Sequence, residues 1–366
     1  MKKLFLTATA VWLSAVCAIA QSNTSTVNST GNNNTATVTQ TGTLNNSAIT
    51  QTGDYNNAYA TQMGAFNAAV QDQQGSNNWG WVTQNGSGNG AYQTQIGFGN
   101  GASASQWGNG NLSSQYQDGT YNGGSVNQSG ESNTADQIQF GYGNNAWTGQ
   151  GGNSNLGYQS QTGSYNNGGI SSSGNGNVAR QWQYGEWNSA TVYQGGSNNE
   201  STQRQNVTTL GLTYAGSNNF EYAQQYGNDN FQYQWQRGSS NTSWLYQNGS
   251  SNTSRQLSHG NGNVTDVTQV GSDNEALQLQ GLYGPNEAGS YFFYFDYPTH
   301  GNYADIDQWG SDNYAEQRQY DGGGHTAITY QNGMGNSAIT LQNGNGHSST
   351  ITQMGNGNVA TVTQNN

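Results

Sequence analysis

The chain has 366 residues and a formal net charge of −12, yet only 7% of its residues are charged and 31% are hydrophobic. That composition excludes an ordinary globular core, and the acidic balance speaks against nucleic acid as a partner. An aromatic content of 11% with only 2 prolines is wrong for a solvated tail and favours cross-β packing.

The first element is a leader. Lys2 and Lys3 precede an apolar run at 4–16, and Ala18-Ile19-Ala20 supplies an A-x-A site before Gln21. This predicts a secretory signal peptide over 1–20. Its removal takes away Cys17 and both lysines, leaving an acidic exported chain without a disulfide.

Beyond the leader the sequence repeats. Gly recurs every eleven residues from Gly31 to Gly196, and Asn follows each of these glycines three places later. Gln stands two places before them, except at Ser29 and Ser172, and a small residue stands five places after. Asn, small, variable and Gln thus fall at i, i+2, i+4 and i+6, one face of a β-strand. Four-residue turns such as Thr41-Gly42-Thr43-Leu44 are expected between strands, with Gly supplying positive φ. From Ala60 onward the variable inward site alternates strictly, mostly aliphatic then Gln: Ala60, Gln71, Val82, Gln93, Ala104, Gln115. Two strands therefore make one coil of twenty-two residues.

The expected fold is all-β: a β-solenoid of β-arch coils with two facing parallel sheets, about 29 strands and 14–15 coils, roughly 70 Å long at ~4.8 Å per coil. The predicted core is polar. Side-chain amides stacked coil over coil donate to one neighbour and accept from the other, which makes their burial tolerable. The expected ladders include Asn78, Asn89, Asn100, Asn111 and Asn122, with Gln84, Gln93, Gln95, Gln106, Gln115 and Gln117. The expected turn glycines include Gly75, Gly86, Gly97, Gly108 and Gly119. The inward Asn of one strand is expected to meet the inward Gln of its partner. Repeat segments 21–205, 216–280 and 299–366 are separated by inserts at 206–215 and 281–298, and Gly322-Gly323-Gly324 adds one residue. All three breaks follow a strand with Gln at the alternating site, which puts them on one edge. The second insert carries Tyr291-Phe292-Phe293-Tyr294-Phe295 and is expected to fold back there as an aromatic patch.

The phrases Gln84-Asn85-Gly86-Ser87-Gly88-Asn89-Gly90-Ala91-Tyr92-Gln93-Thr94-Gln95 and Gln353-Met354-Gly355-Asn356-Gly357-Asn358-Val359-Ala360-Thr361-Val362-Thr363-Gln364 resemble the repeat of curlin, the subunit of the bacterial functional amyloid curli. The resemblance covers nearly all of the chain after the leader. It implies a secreted, cell-attached fibre of biofilm matrix that serves adhesion. It also implies three partners: further copies of the chain, a minor curlin nucleator and an outer-membrane secretion channel. The chain departs from the familiar five-repeat pattern in having many more repeats, Asn in place of the leading Ser, and repeats that begin near Asn23.

No catalytic constellation, metal-ligand spacing or cofactor motif stands out. His259, His300, His325 and His347 are expected to be solvent-facing or in turns, and the recurring bend aspartates such as Asp54 and Asp118 fit turn chemistry. The alternative to a fibre is a secreted monomeric solenoid that binds ice or glycans. Thr35, Thr37 and Thr39 form an outward T-x-T-x-T, but later coils put Trp79 and Trp81 there. Outward aromatics otherwise suit strands and pair across them.

Overall fold

The computed structural model describes residues 22–206, 216–283, 295–296 and 299–365. The expected leader, most of both longer inserts and both prolines lie outside the described residues.

Alternation decides the architecture. In Ala68–Ser76, Ala69, Gln71 and Gln73 are buried while their neighbours face outward. Each such strand needs a second apposed surface, and the next strand in sequence supplies it. Consecutive strands alternate between two sheets, and every ladder within them is parallel. Trp79–Ser87 pairs with Asn57–Ala65 on one side and Gly101–Asn109 on the other. Among the described residues the first sheet is 16-stranded. Its stack runs from Thr24–Thr30 to Val359–Asn365, with Thr299–His300 off the path. The second is 14-stranded, from Thr35–Thr43 to Ser348–Met354. The chain is therefore a β-solenoid with one strand of each sheet per coil, and the Cα partner of Gln84 is Gln106, twenty-two residues on.

The small sites are small because the facing sheet leaves no room. A Cβ at Gly80 would lie 2.9 Å from Gln71 Nε2 and 3.1 Å from Gln93 Oε1. Residues such as Ala58, Ala69, Ala91 and Ala102 fill these sites fully buried, and the aliphatic members of the alternating site, Val82, Val126, Ile170 and Val192, lie against them in the seam.

The bends differ from expectation. The turn at 41–44 is not a four-residue excursion, because the strand Thr35–Thr43 runs through Gly42. Pairing continues across the corner, with Gly42↔Gly64 and Thr43↔Ala65 as Cα partners. Stacking identical corners lets their N–H and C=O groups bond between coils, so the bend itself belongs to the ladder.

The three interruptions change spacing without changing register. The Gln194 ladder partner is Gln225, 31 residues on, that of Gln269 is Gln308, 39 on, and that of Gln308 is Gln331, 23 on. Each interruption lies where a first-sheet strand hands over to a second-sheet strand, on one edge of the solenoid. In the second insert, Leu282–Tyr283 pairs antiparallel with Phe295–Asp296. Leu282–Tyr283 also contacts Thr253–Asn261 and Tyr314–Tyr320 of the first sheet. The expected aromatic patch itself lies outside the described residues.

Candidate functional site: amide ladders and open ends

Three kinds of ladder run along the seam. The Gln two places before each bend glycine donates toward the C-terminal end. Gln84 Nε2 reaches Gln106 Oε1 at 2.8 Å, Gln95 reaches Gln117 at 3.0 Å, and Gln106 reaches Gln128 at 2.9 Å. The same Nε2 crosses to main chain of the facing sheet, as Gln84 to the Ala68 carbonyl and Gln117 to the Gly101 carbonyl. The alternating-site Gln ladder runs the same way, from Gln71 to Gln93 to Gln115 to Gln137 at 2.8–2.9 Å.

The Asn ladder has the opposite sense. Asn78 Nδ2 donates back to Asn56 Oδ1 at 3.1 Å, and Asn100 and Asn122 do the same to Asn78 and Asn100 at 3.2 Å. The Asn111 N–H donates to Asn89 Oδ1 at 3.0 Å. Each Asn also pins a bend. Asn56, Asn67, Asn78, Asn89 and Asn100 donate Nδ2 to the carbonyls of Gly75, Gly86, Gly97, Gly108 and Gly119 at 2.8–3.1 Å. The expected meeting of Asn and Gln is corrected accordingly. Gln84 Nε2 contacts the Asn89 carbonyl at 3.1 Å, while the Asn89 amide serves the corner by donating to the Gly108 carbonyl.

Two of the histidines depart from the expected placement, while His300 is exposed. His259 and His325 are buried, and His325 and His347 stack at 5.4 Å between centroids. Both stand three places after a bend glycine, Gly322 and Gly344, in the slot otherwise held by Asn. His325 Nδ1 accepts the His347 N–H, as an Asn Oδ1 would. That spacing is the available signal. On the outer surface, Phe98, Tyr121, Tyr142, Tyr165 and Trp187 form a continuous ridge with successive centroids 5.4, 5.9, 5.2 and 4.3 Å apart, on the same edge as the inserts.

Among the described residues, charge inside the seam is confined to Glu221, which occupies a small site between Ala190 and Ser243. Neither carboxyl oxygen has a hydrogen-bond partner among the described residues, and burial pushes its carboxyl well above the usual range. On the outer face Asp266 and Asp305 are stacked partners. Burial first, then repulsion from Asp307 and Asp266, pushes Asp305 up to about 6. Raised carboxyls bind protons more tightly in the folded coil than in the unfolded chain. Asp305 therefore opposes folding in full above about pH 6, and this is relieved as pH falls toward the ordinary carboxylate value of ~4. The guanidinium midpoint is therefore expected to be higher at pH ~4.5 than at pH ~7.5. Asp305→Asn should flatten that dependence, and Glu221→Ala should raise the midpoint at neutral pH by the equivalent of ~1–3 kcal/mol. A midpoint that falls on acidification would refute this assignment.

Among the described residues the ladders end at two strands that are paired on one side only. Thr24–Thr30 is exposed throughout, and Val359–Asn365 is exposed on its outward positions and half-buried on its inward ones. The C-terminal end presents Gln donors and an Asn acceptor, whereas the N-terminal end presents one Gln acceptor, Gln40, with Ser29 in the matching slot of the other sheet, and Asn donors. The two ends are complementary to each other and not to themselves.

A stacked-coil solenoid built on amide ladders, with open ends, defines a repeat protein of structural type. The family model for the curlin associated repeat matches residues 31–64, 326–355 and 333–365, so the chain is curlin-like. No curated protein matches it.

Proposed function

We propose that this chain is a secreted structural subunit that polymerises end to end into an extracellular cross-β fibre of the curli type, serving biofilm matrix and adhesion. The observation that carries the reading is the complementarity of the two open ends. Unpaired strand edges recruit further strands, and here the ladder donors at one end face the ladder acceptors of the other. The Asn and Gln ladders and the bend glycines named above are then the determinants of assembly, and the chain acts without catalysis or cofactor. The repeat segments 21–205, 216–280 and 299–366 form the fibre body, with the inserts at 206–215 and 281–298 carried on its edge. Export under the 1–20 leader, passage through a curli-type channel and nucleation by a minor curlin complete the proposal.

Purified chain from Gln21 onward is expected to form fibres after a concentration-dependent lag that preformed fibres abolish. Those fibres should diffract at ~4.8 Å along the axis and ~10 Å across it. A chain that stays folded and monomeric for days at micromolar concentration would overturn the reading in favour of a surface-binding monomer.

A further inference from the structure

We propose that successive subunits in the fibre are related by a half-turn about its axis, so that the first sheet of one copy continues as the second sheet of the next. The inference rests on the end-to-end reading above and specifies its joint.

The topology supplies the first reason. With Thr299–His300 set aside, the first sheet's stack holds one strand more than the second, and it owns both the lowest strand, Thr24–Thr30, and the highest, Val359–Asn365. A second copy added without rotation would set its Thr24–Thr30 on Val359–Asn365. Its Thr35–Thr43 would then stand two rungs above Ser348–Met354, leaving one strand-wide slot in the second sheet. Gln353 Nε2 would face that slot from below and Gln40 Oε1 from above. A half-turn closes it. Thr24–Thr30 then lies on Ser348–Met354, and Thr35–Thr43 lies on Val359–Asn365.

The register of that joint reproduces interior contacts. Gln364 Nε2 meets Gln40 Oε1 of the next copy, as Gln342 meets Gln364 at 2.8 Å. Asn358 Oδ1 meets the N–H of Asn34, as Asn336 Oδ1 meets that of Asn358 at 3.0 Å. Asn358 Nδ2 meets the Gly31 carbonyl, as Asn336 meets that of Gly355 at 2.8 Å. Gln353 meets Ser29, and the interior has a Ser in the same slot, Ser172, whose Oγ donates onward to Gln194 as Ser29 does to Gln51.

The alternating site supplies the second, independent reason. Inside the solenoid this site distinguishes the sheets, with Gln in the first sheet from Gln71 to Gln317 and mostly aliphatic residues in the second. The distinction disappears over the last two first-sheet strands at both ends. Val27 and Ile49 precede Gln71, and Thr340 and Val362 follow Gln317. The Gln ladder is cut short, leaving Gln71 Oε1 without a partner among the described residues. In an unrotated stack the Gln column could have run through the joint. In a half-turn joint it would collide with the aliphatic column of the other sheet, and the terminal substitutions remove that conflict: Ile351 lies on Val27, and Val362 on Val38.

The test uses paired cysteines on outward positions of the end strands, in the chain from Gln21, which has no other cysteine. Adjacent parallel strands bring stacked residues within disulfide reach. Thr361→Cys with Thr37→Cys should cross-link most chains into reducible multimers within fibres. Thr361→Cys with Thr26→Cys should stay at the background of single-cysteine controls. Fibre images should also show the insert edge on alternate sides, with a true repeat of two subunits, roughly 140 Å at ~4.8 Å per coil. Fibres that cross-link only through the Thr26 pair, or through neither, or that repeat at half that distance, would overturn the half-turn and leave the end-to-end reading standing. Absence of fibres from the unmodified chain would overturn both.

Discussion

Gly108→Ala is expected to stop fibre formation under conditions where the unmodified chain assembles. Gly108 has φ +107, and a Cβ there would lie 2.1 Å from the Gly130 carbonyl oxygen. That oxygen belongs to backbone, so it cannot rotate away, and it is held at 2.9 Å by Asn111 Nδ2. The corner below is equally fixed, since Asn89 Nδ2 holds the Gly108 carbonyl at 2.8 Å. Relieving the clash means separating two coils at one edge, which breaks the ladder bonds of that corner together. Gly110→Ala is the control. Its φ is +64 and its nearest heavy neighbour is Ser132 Oγ at 3.6 Å, so it should cost only the ~1–2 kcal/mol of a left-handed alanine. Thioflavin kinetics should show the first variant flat, or delayed more than tenfold, and the second near normal. Equal behaviour would mean that corner spacing does not limit assembly.

The same corner shows what the sequence can and cannot disclose. Translation along the stack puts each slot directly over its counterpart one coil away, so every slot selects one residue type and its period is plain in the sequence. Gln84, Gln106 and Gln128 can be aligned by counting, and so can the small sites at Gly80, Ala102 and Gly124. Glu221 stands out for breaking such a slot. The bend is easily misread because Gly is usually a sign that a strand has ended, whereas a corner repeated identically can pair through it. The partner of Asn is hidden because its amide can turn toward either the seam or the corner, and only the position of the glycine carbonyl decides. Ladder direction is invisible for a related reason, since a repeating Gln is satisfied by donation in either sense. His325 is legible in principle, standing three places after Gly322, but its residue type draws attention away from its slot.

The seam should tolerate loss of an amide far better than the arrival of a charge. Ala102 is fully buried, and at the small sites above and below it in the stack, Gly80 and Gly124, an added Cβ would lie about 3 Å from Gln side-chain atoms of the facing sheet. Ala102→Lys would place an ammonium there with neither space nor an anionic partner, at a cost of several kcal/mol for an unpaired buried charge. Gln117→Leu is milder. It removes the donor to Gln139 Oε1, to the Gly101 carbonyl and to the Asn122 carbonyl, with ~1–3 kcal/mol for each group left unsatisfied. Gln95 keeps bonds to the Trp79 and Asn100 carbonyls, which limits the damage on the N-terminal side. Tyr116→Ser, on the outward face of the same strand, loses its ring contact with Phe140 at 5.6 Å and leaves the inward ladders in place. Critical concentrations should therefore be highest for Ala102→Lys, lower for Gln117→Leu and lowest for Tyr116→Ser. The Gln117→Leu value should exceed that of the unmodified chain at least tenfold, since ~1.4 kcal/mol corresponds to a factor of ten. Fibres of Ala102→Lys that form as readily as those of Tyr116→Ser would mean that the seam is wet, and that the amide ladders are not what joins the coils.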